Sequence, residues 1–156
     1  MAASAWQLYN SGKRYIGNGT IELGAGSFKM ALFNSASNAS TFTLSTFISL
    51  TGQISATGGY VSGGKELVPA TGSWALTSAT SPVVRFTYST VGLTFTASGS
   101  SLNNIKYAVL TFGASAAVAS ARKLLCFCQL SSSQFTVASP NTLTVLPAAT
   151  GVFTLI

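Results

Sequence analysis

The side chains that most often perform acid–base catalysis are almost absent from this sequence. The 156 residues include no histidine and no aspartate, and Glu22 and Glu66 are the only acidic residues. Hydrolysis of a glycosidic bond would need both carboxylates in one cleft, but each glutamate falls near a predicted turn. A catalytic serine would need a general base such as histidine, and no Gly-x-Ser-x-Gly turn occurs. The sequence therefore predicts that this protein is not an enzyme.

Two further patterns resemble chemical motifs but lack the partners that the chemistry requires. Cys126 and Cys128 are the only cysteines, and their spacing places them on the same face of a strand, about 6.5 Å apart and too far for an unstrained disulfide. With no histidine or third cysteine, they do not make a metal site, so they are predicted to be buried and reduced. The stretch Gly63-Gly64-Lys65-Glu66 is not a phosphate-binding loop and predicts a plain turn. No cofactor or metal is expected.

Charges are few and mostly positive. Only 6% of residues are charged, against about 25% in average soluble proteins, and the net charge is +6. A free monomer usually needs more charge for solubility, so this composition favours a subunit that is covered by neighbours. The basic residues form no run of five, and no specific nucleic-acid partner is predicted. They are Lys13, Arg14, Lys29, Lys65, Arg85, Lys106, Arg122 and Lys123.

The mean hydropathy of +0.47 is high enough to raise the question of a membrane. No segment gives about 18 uninterrupted apolar residues, which a membrane-spanning helix needs. The first ten residues lack the basic start and long apolar core of a signal peptide. We therefore expect a soluble protein that is made in a cytoplasm and has no membrane partner.

The amino-terminal residues 1–17 are predicted to form a helix or arm. Trp6, Tyr9 and Ile16 fall at helical spacing within residues 5–16, and a glycine follows. Terminal segments with two large aromatic side chains often dock on a partner, although this helix could also cap its own domain. The candidate partner-binding residues are Trp6, Tyr9, Lys13 and Arg14.

The rest of the chain consists of short strands and turns. Residues Phe28–Phe33 are predicted to be buried on both faces, with alternate side chains pointing in opposite directions. Residues 124–130 are also apolar on both faces, with Leu124, Cys126 and Cys128 expected on one face and Leu125 on the other. Further strands are predicted over residues 20–23, 65–68, 73–77, 83–89, 93–97, 105–112, 142–146 and 152–156. Residues 98–104 are predicted to be a turn, and residues 113–121 a loop or a short helix.

Strands at regular spacing without alternating helices predict an all-β fold. We expect an antiparallel β-sandwich, jelly-roll-like, with a short N-terminal helix or arm. Residues 1–156 are expected to form a single domain.

Several short motifs resemble those of a group of small virion proteins of tailed bacteriophages. The opening Gly17-Asn18-Gly19-Thr20-Ile21-Glu22-Leu23, followed by Phe28-Lys29-Met30-Ala31-Leu32-Phe33, is similar to the start of these proteins. Three later segments are also similar to theirs, and the likeness covers most of the chain. These segments are Tyr60-Val61-Ser62-Gly63-Gly64-Lys65-Glu66-Leu67, Asn141-Thr142-Leu143-Thr144-Val145 and Gly151-Val152-Phe153-Thr154-Leu155.

The resemblance implies a structural virion protein, most like a head decoration (cement) protein. Such proteins are often β-rich and oligomeric, and they sit at junctions between major capsid subunits. The expected partners are therefore the major capsid protein and further copies of this chain, as a homotrimer on the head surface. Two alternatives stay open: a tail or fibre protein that binds a receptor or glycan, and a jelly-roll coat protein that builds a shell itself.

Overall fold

Strands dominate the structure. The computed structural model describes residues 3–24, 27–67, 74–77, 84–88, 92–113, 122–148 and 151–155. These residues contain one α-helix, α1 (Asn10–Gly17), and one 3-10 turn, Phe47–Ser49. The strands are β1 (Gln7–Leu8), β2 (Phe28–Phe33), β3 (Lys65–Leu67), β4 (Trp74–Thr77), β5 (Val84–Tyr88), β6 (Leu93–Thr96), β7 (Leu102–Ile105), β8 (Tyr107–Phe112), β9 (Lys123–Gln129), β10 (Phe135–Val137), β11 (Thr142–Val145) and β12 (Phe153–Leu155).

The main sheet has five antiparallel strands in the order β1-β9-β8-β2-β3. Strand β2 pairs along its full length with β8, from Phe28 opposite Phe112 to Phe33 opposite Tyr107. Both strands are almost continuously apolar, which suits strands that are covered on both faces. The prediction of a doubly buried strand at Phe28–Phe33 is confirmed, because five of its six residues are buried.

Two hydrophobic cores lie on opposite faces of the main sheet. On one face, Phe28, Met30 and Leu32 pack against residues of three smaller antiparallel sheets, β12-β5-β4, β11-β6 and β10-β7. We call this the larger core. On the other face, Ala31 and Phe33 belong to a second core that includes the 3-10 turn. The alternation predicted for β2 is confirmed, and the all-β fold is consistent with an antiparallel sandwich.

A β-bulge in β9 corrects the predicted faces of two leucines. Leu110 lies opposite Cys126, but Thr111 lies opposite Leu124, so β9 contains one extra residue, Leu125. Beyond a bulge the alternation of a strand reverses. Leu124 therefore belongs to the second core, whereas Leu125 joins Cys126 in the larger core. The sequence-based assignment assumed unbroken alternation and was wrong at these two positions.

The amino-terminal prediction is corrected in its boundaries. The helix begins at Asn10 instead of residue 5, because Gln7 and Leu8 pair with β9 as strand β1. Residues 20–23 form turns and bends instead of the predicted strand. The backbone N–H of Ile21 donates to the carbonyl of Tyr15 at 3.0 Å, so this segment folds back onto the end of the helix.

The region around Ile105 also differs from the prediction. Residues 102–104 were predicted to be a turn and Ile105 to begin a strand, but Leu102–Ile105 form β7, which pairs with the unpredicted strand β10. The predicted strand over residues 105–112 is interrupted at Lys106, whose N–H donates to the carbonyl of Phe33 at 2.8 Å. Of residues 113–121, predicted to be a loop or a short helix, residues 114–121 lie outside the described residues.

Candidate partner-binding surface

The structure places Tyr9 in the second core, which corrects its assignment to a partner-binding surface. The side chain is fully buried, and its hydroxyl donates to the carbonyl of Ala39 at 2.5 Å. Its ring packs against Phe127 with the ring centroids 5.1 Å apart. Burial raises the pKa of the phenol above its ordinary value. Tyr9 therefore fixes the start of α1 to the sheet and has no surface to offer a partner.

Trp6 precedes the helix and does not share its stripe. Its ring is half-buried and meets Tyr88 edge-on, with the centroids 6.3 Å apart and the planes at 90°. The remaining surface of Trp6 lines a cleft on the surface of the sandwich. Trp6 thus stays a candidate for partner contact, but at a different place from the exposed face of α1.

The helix α1 packs tightly on the main sheet through its small residues. Ser11 is buried, and its hydroxyl donates to the carbonyl of Leu44 at 2.6 Å. Gly12 faces the bulge of β9, where a side chain would collide with the carbonyl of Leu125. Because these residues face inward, Lys13 and Arg14 are left exposed on the outer side.

The fold brings a third cation to Lys13 and Arg14. The guanidinium carbon of Arg14 lies 5.3 Å from the centroid of the Tyr15 ring, and Nζ of Lys123 lies 5.6 Å from the same centroid. We call Lys13, Arg14 and Lys123 the cationic face. Eight basic residues share only two acidic ones, so carboxylates within the chain cannot neutralise most of them. Such a face attracts an anionic partner in a salt-dependent manner.

Nothing in the local sequence indicates that Lys123 lies beside α1. Arg122 and Lys123 were two more members of a scattered basic set. The sheet joins them to the amino terminus because β9 carries β1 on its edge, and α1 follows β1 directly. Pairing between strands more than one hundred residues apart is not visible in a local pattern.

Arg122 is the other functional-looking residue that the sequence did not single out. Its side chain is only 4% exposed and lies over the Phe47 ring, with the guanidinium carbon 4.0 Å from the centroid. It donates to the hydroxyl of Thr111 at 2.6 Å and to the carbonyl of Gly63 at 2.8 Å, while its Nε finds no hydrogen-bond partner in the described part of the chain. Burial lowers the pKa of the guanidinium, and the neighbouring Tyr60 phenol opposes this effect.

The contacts of Arg122 give it a structural role. It joins the 3-10 turn, the loop before β3 and the buried end of β8, which are far apart in sequence. A buried guanidinium that is partly satisfied by neutral acceptors stabilises one particular arrangement of these segments. We therefore assign Arg122 to the scaffold and not to the cationic face.

The two cysteines lie where the sequence predicted. Both are buried and free, and both belong to the larger core. Burial raises the pKa of the Cys126 thiol well above its ordinary value, and it raises that of Cys128 to about 12. Thiols with such pKa values are not ionised at neutral pH and are poor nucleophiles. In the described part of the chain no three His, Cys, Asp or Glu side chains come together.

Four large apolar side chains are exposed on the described surface. Ile48 and Val61 are the most exposed, at 67% and 70%, followed by Leu146 at 56% and Phe42 at 44%. Phe42 lies edge-on to Phe127, with the centroids 5.4 Å apart, and so extends the second core to the surface.

None of the helices in the described residues has the length and apolar content needed to cross a membrane.

Comparisons with known proteins identify no family for this chain. No protein-family model matches the chain, and neither a curated protein nor a solved structure is detectably similar to it. The function therefore has to be inferred from the surfaces and side chains described above.

Proposed function

We propose that this protein is a structural virion component, a decoration protein that binds and bridges major capsid proteins on a phage head. The observation that carries the proposal is the surface itself, which combines very few charges with exposed apolar side chains. Surfaces of this kind suit permanent burial against other proteins. The second expected partner is another copy of the chain, with a homotrimer as the predicted assembly.

Two of the motifs that carry the resemblance to phage virion proteins, Phe28–Phe33 and residues 60–67, lie in contact, and this supports the proposal. The hydroxyl of Tyr60 accepts a hydrogen bond from the backbone N–H of Leu32 at 3.0 Å. Gly64 packs directly against the backbone of Met30, and β3 then pairs with β2. Residues that resemble one family in two separate segments are thus in contact.

The cationic face is the part of the surface best suited to recognising a shell. Lys13 and Arg14 are exposed, and Lys123 is half-exposed beside them. An acidic patch on a capsid subunit would provide the complementary charge. Each contact is expected to be weak, while oligomeric copies bind firmly through several contacts at once.

Neutralising the cationic face should weaken attachment to heads. We expect K13Q/R14Q/K123Q to bind heads that lack this protein at least roughly tenfold more weakly than the wild type does at low salt, because screened charge attraction is removed. Co-sedimentation of purified protein with such heads, at increasing protein concentration, measures this affinity.

The matched control is K29Q/K65Q/K106Q, which lowers the net charge by the same three units at other places. It should retain wild-type binding, and both variants should keep the melting temperature within a few degrees. Equal loss of binding in both variants would show that only net charge matters. Wild-type protein that never sediments with heads would contradict the decoration function itself.

A further inference from the structure

An apolar cleft opens on the surface of the sandwich, between the segment that precedes β1 and strand β11 of a smaller sheet. Its volume is about 580 Å³. The cleft reaches inward to Cys128 of the larger core. Its outer walls are built mainly of apolar side chains, which include Trp6, Leu130, Phe135, Leu143, Leu146 and Pro147.

Strand β11 borders the cleft with a backbone edge that has no partner among the described residues. The strand pairs with β6, from Thr142 opposite Thr96 to Val145 opposite Leu93. The N–H of Ala97 donates to the carbonyl of Asn141 at 2.9 Å, and this bond sets the alternation of the ladder. In an antiparallel ladder the next residue along then points its N–H and C=O away from the partner strand. The outward backbone groups of β11 are therefore those of Thr142 and Thr144.

Two other edges of these sheets, those of β6 and β3, are covered or charged, and that of β11 is not. On the far side of β6, Nζ of Lys65 donates to the carbonyl of Thr94 at 2.8 Å. The edge strand β3 carries exposed Lys65 and Glu66, which discourage pairing with another chain. Strand β11 offers only threonine, leucine and valine.

The distribution of charge indicates which partner fits this edge. No charged residue occurs from Leu124 to the end of the sequence, and none occurs before Lys13. All the described residues that line the cleft come from these two uncharged segments. Two copies with a net charge of +6 each repel one another over most of their surfaces, so they can approach closely only through a neutral face.

We propose that β11 pairs antiparallel with β11 of a second copy of this chain, across a two-fold axis at Leu143. In this register Thr142 lies opposite Thr144 of the second copy, and the two pairs exchange four backbone hydrogen bonds. The two Leu143 side chains meet on the cleft side, and the paired strand covers the mouth of each cleft. Pro140 and Pro147 flank β11 and confine the pairing to this segment.

The contact has the two components that a stable dimer needs. Edge hydrogen bonds specify the register, while the apolar wall of the cleft, including the 56% exposed Leu146, supplies surface to bury. A specific interface usually buries at least about 1,200 Å² in total, which a four-residue edge alone does not reach. The inference does not depend on the proposed virion function. A two-fold pair joins only two copies, so a homotrimer would use other surfaces.

Hydrogen exchange of the wild-type protein tests the register directly. The amides of Thr142 and Thr144 should exchange rapidly at low protein concentration and become protected as the concentration rises. The amides of Leu143 and Val145 already bond to β6 and should be protected at every concentration. Analytical ultracentrifugation over the same range should show the mass of the species present at low concentration double, whether that species is a monomer or a trimer. A wild-type protein whose mass does not double would overturn the proposal.

Replacing Thr142 and Thr144 by charged residues gives a second, independent test of the pairing between the two copies of β11. The T142K/T144K variant places lysines opposite lysines across the axis and should raise the dimer dissociation constant by roughly tenfold or more. T142E/T144E should behave in the same way, whereas an equimolar mixture of the two variants should form a mixed dimer.

The control T94K/T96K adds the same charges on the same outer face, one strand further from the axis. Thr94 and Thr144 share a hydroxyl contact of 2.9 Å, so both lysine variants lose it. We expect the control to dimerise like the wild type, because a Debye length of about 8 Å screens its more distant lysines. Equal dissociation of the control, or failure of the mixed pair to associate, would overturn the two-fold pairing.

Discussion

Replacement of Gly64 by alanine is expected to destabilise the protein by about 3 kcal/mol or more. Gly64 has a φ of +86°, and a Cβ there would lie 2.6 Å from the carbonyl carbon of Met30 and 2.7 Å from Cα of Ala31. These are backbone atoms in the middle of the main sheet, which cannot move away as a side chain does. Urea denaturation of the G64A variant measures the loss in the free energy of unfolding.

The control for Gly64 is Gly99, which shares its backbone conformation but not its surroundings. Gly99 has a φ of +74°, and a Cβ there would meet no atom of the described residues within 4 Å. The free energy of unfolding of G99A should therefore fall by only about 1 kcal/mol, the cost of placing alanine in a left-handed backbone conformation. If G64A and G99A lost the same amount, the close approach of the loop to β2 would not be the reason for glycine at position 64.

Replacement of Tyr9 by alanine is the second change with a large expected effect, a loss of about 3–5 kcal/mol in the free energy of unfolding. The ring is fully buried against Phe127, and the alanine variant leaves a cavity in the second core. It also leaves the carbonyl of Ala39 without its hydroxyl donor. Thermal and urea unfolding of Y9A measure this loss.

The Y9F variant separates the hydrogen bond from the packing. It keeps the ring and should lose only about 1–2 kcal/mol, the cost of an unpaired buried acceptor. If Y9A instead kept the stability of the wild type while losing attachment to heads, Tyr9 would be part of an exposed arm. That outcome would contradict its place in the core.

Alternation of side chains was a sufficient guide wherever a strand ran without interruption. In β2 the period of two assigned Met30 and Phe33 to opposite cores correctly. In β6 it assigned Leu93 and Phe95 to the interior, where they are buried. These strands obey the pattern because neither contains a bulge, so a single rule describes every residue.

The pattern failed where a single backbone irregularity decided the outcome. The bulge at Leu125 reversed two side chains, and no residue type in β9 signals it. Strand β7 was missed because Asn103 and Asn104 look like a turn, and Asn104 does have a φ of +61°. Pairing with β10 nevertheless holds this segment in the sheet.

The candidate surface was predictable only in part. Lys13 and Arg14 lie on the exposed side of α1, as a solvated helix face would place them. The position of Lys123 beside Tyr15 depends on which strands pair, and so does the burial of Arg122. Both facts follow from contacts between distant segments, which local sequence does not contain.

The copy number of this protein in purified virions tests the proposed function most directly. Quantitative mass spectrometry compares it with the most abundant coat protein of the same particles. A decoration protein should occur at one copy per coat subunit or at a simple fraction of that number. A handful of copies per particle, or none, would contradict a place on the shell lattice, and a chain more abundant than any other would instead be the coat protein.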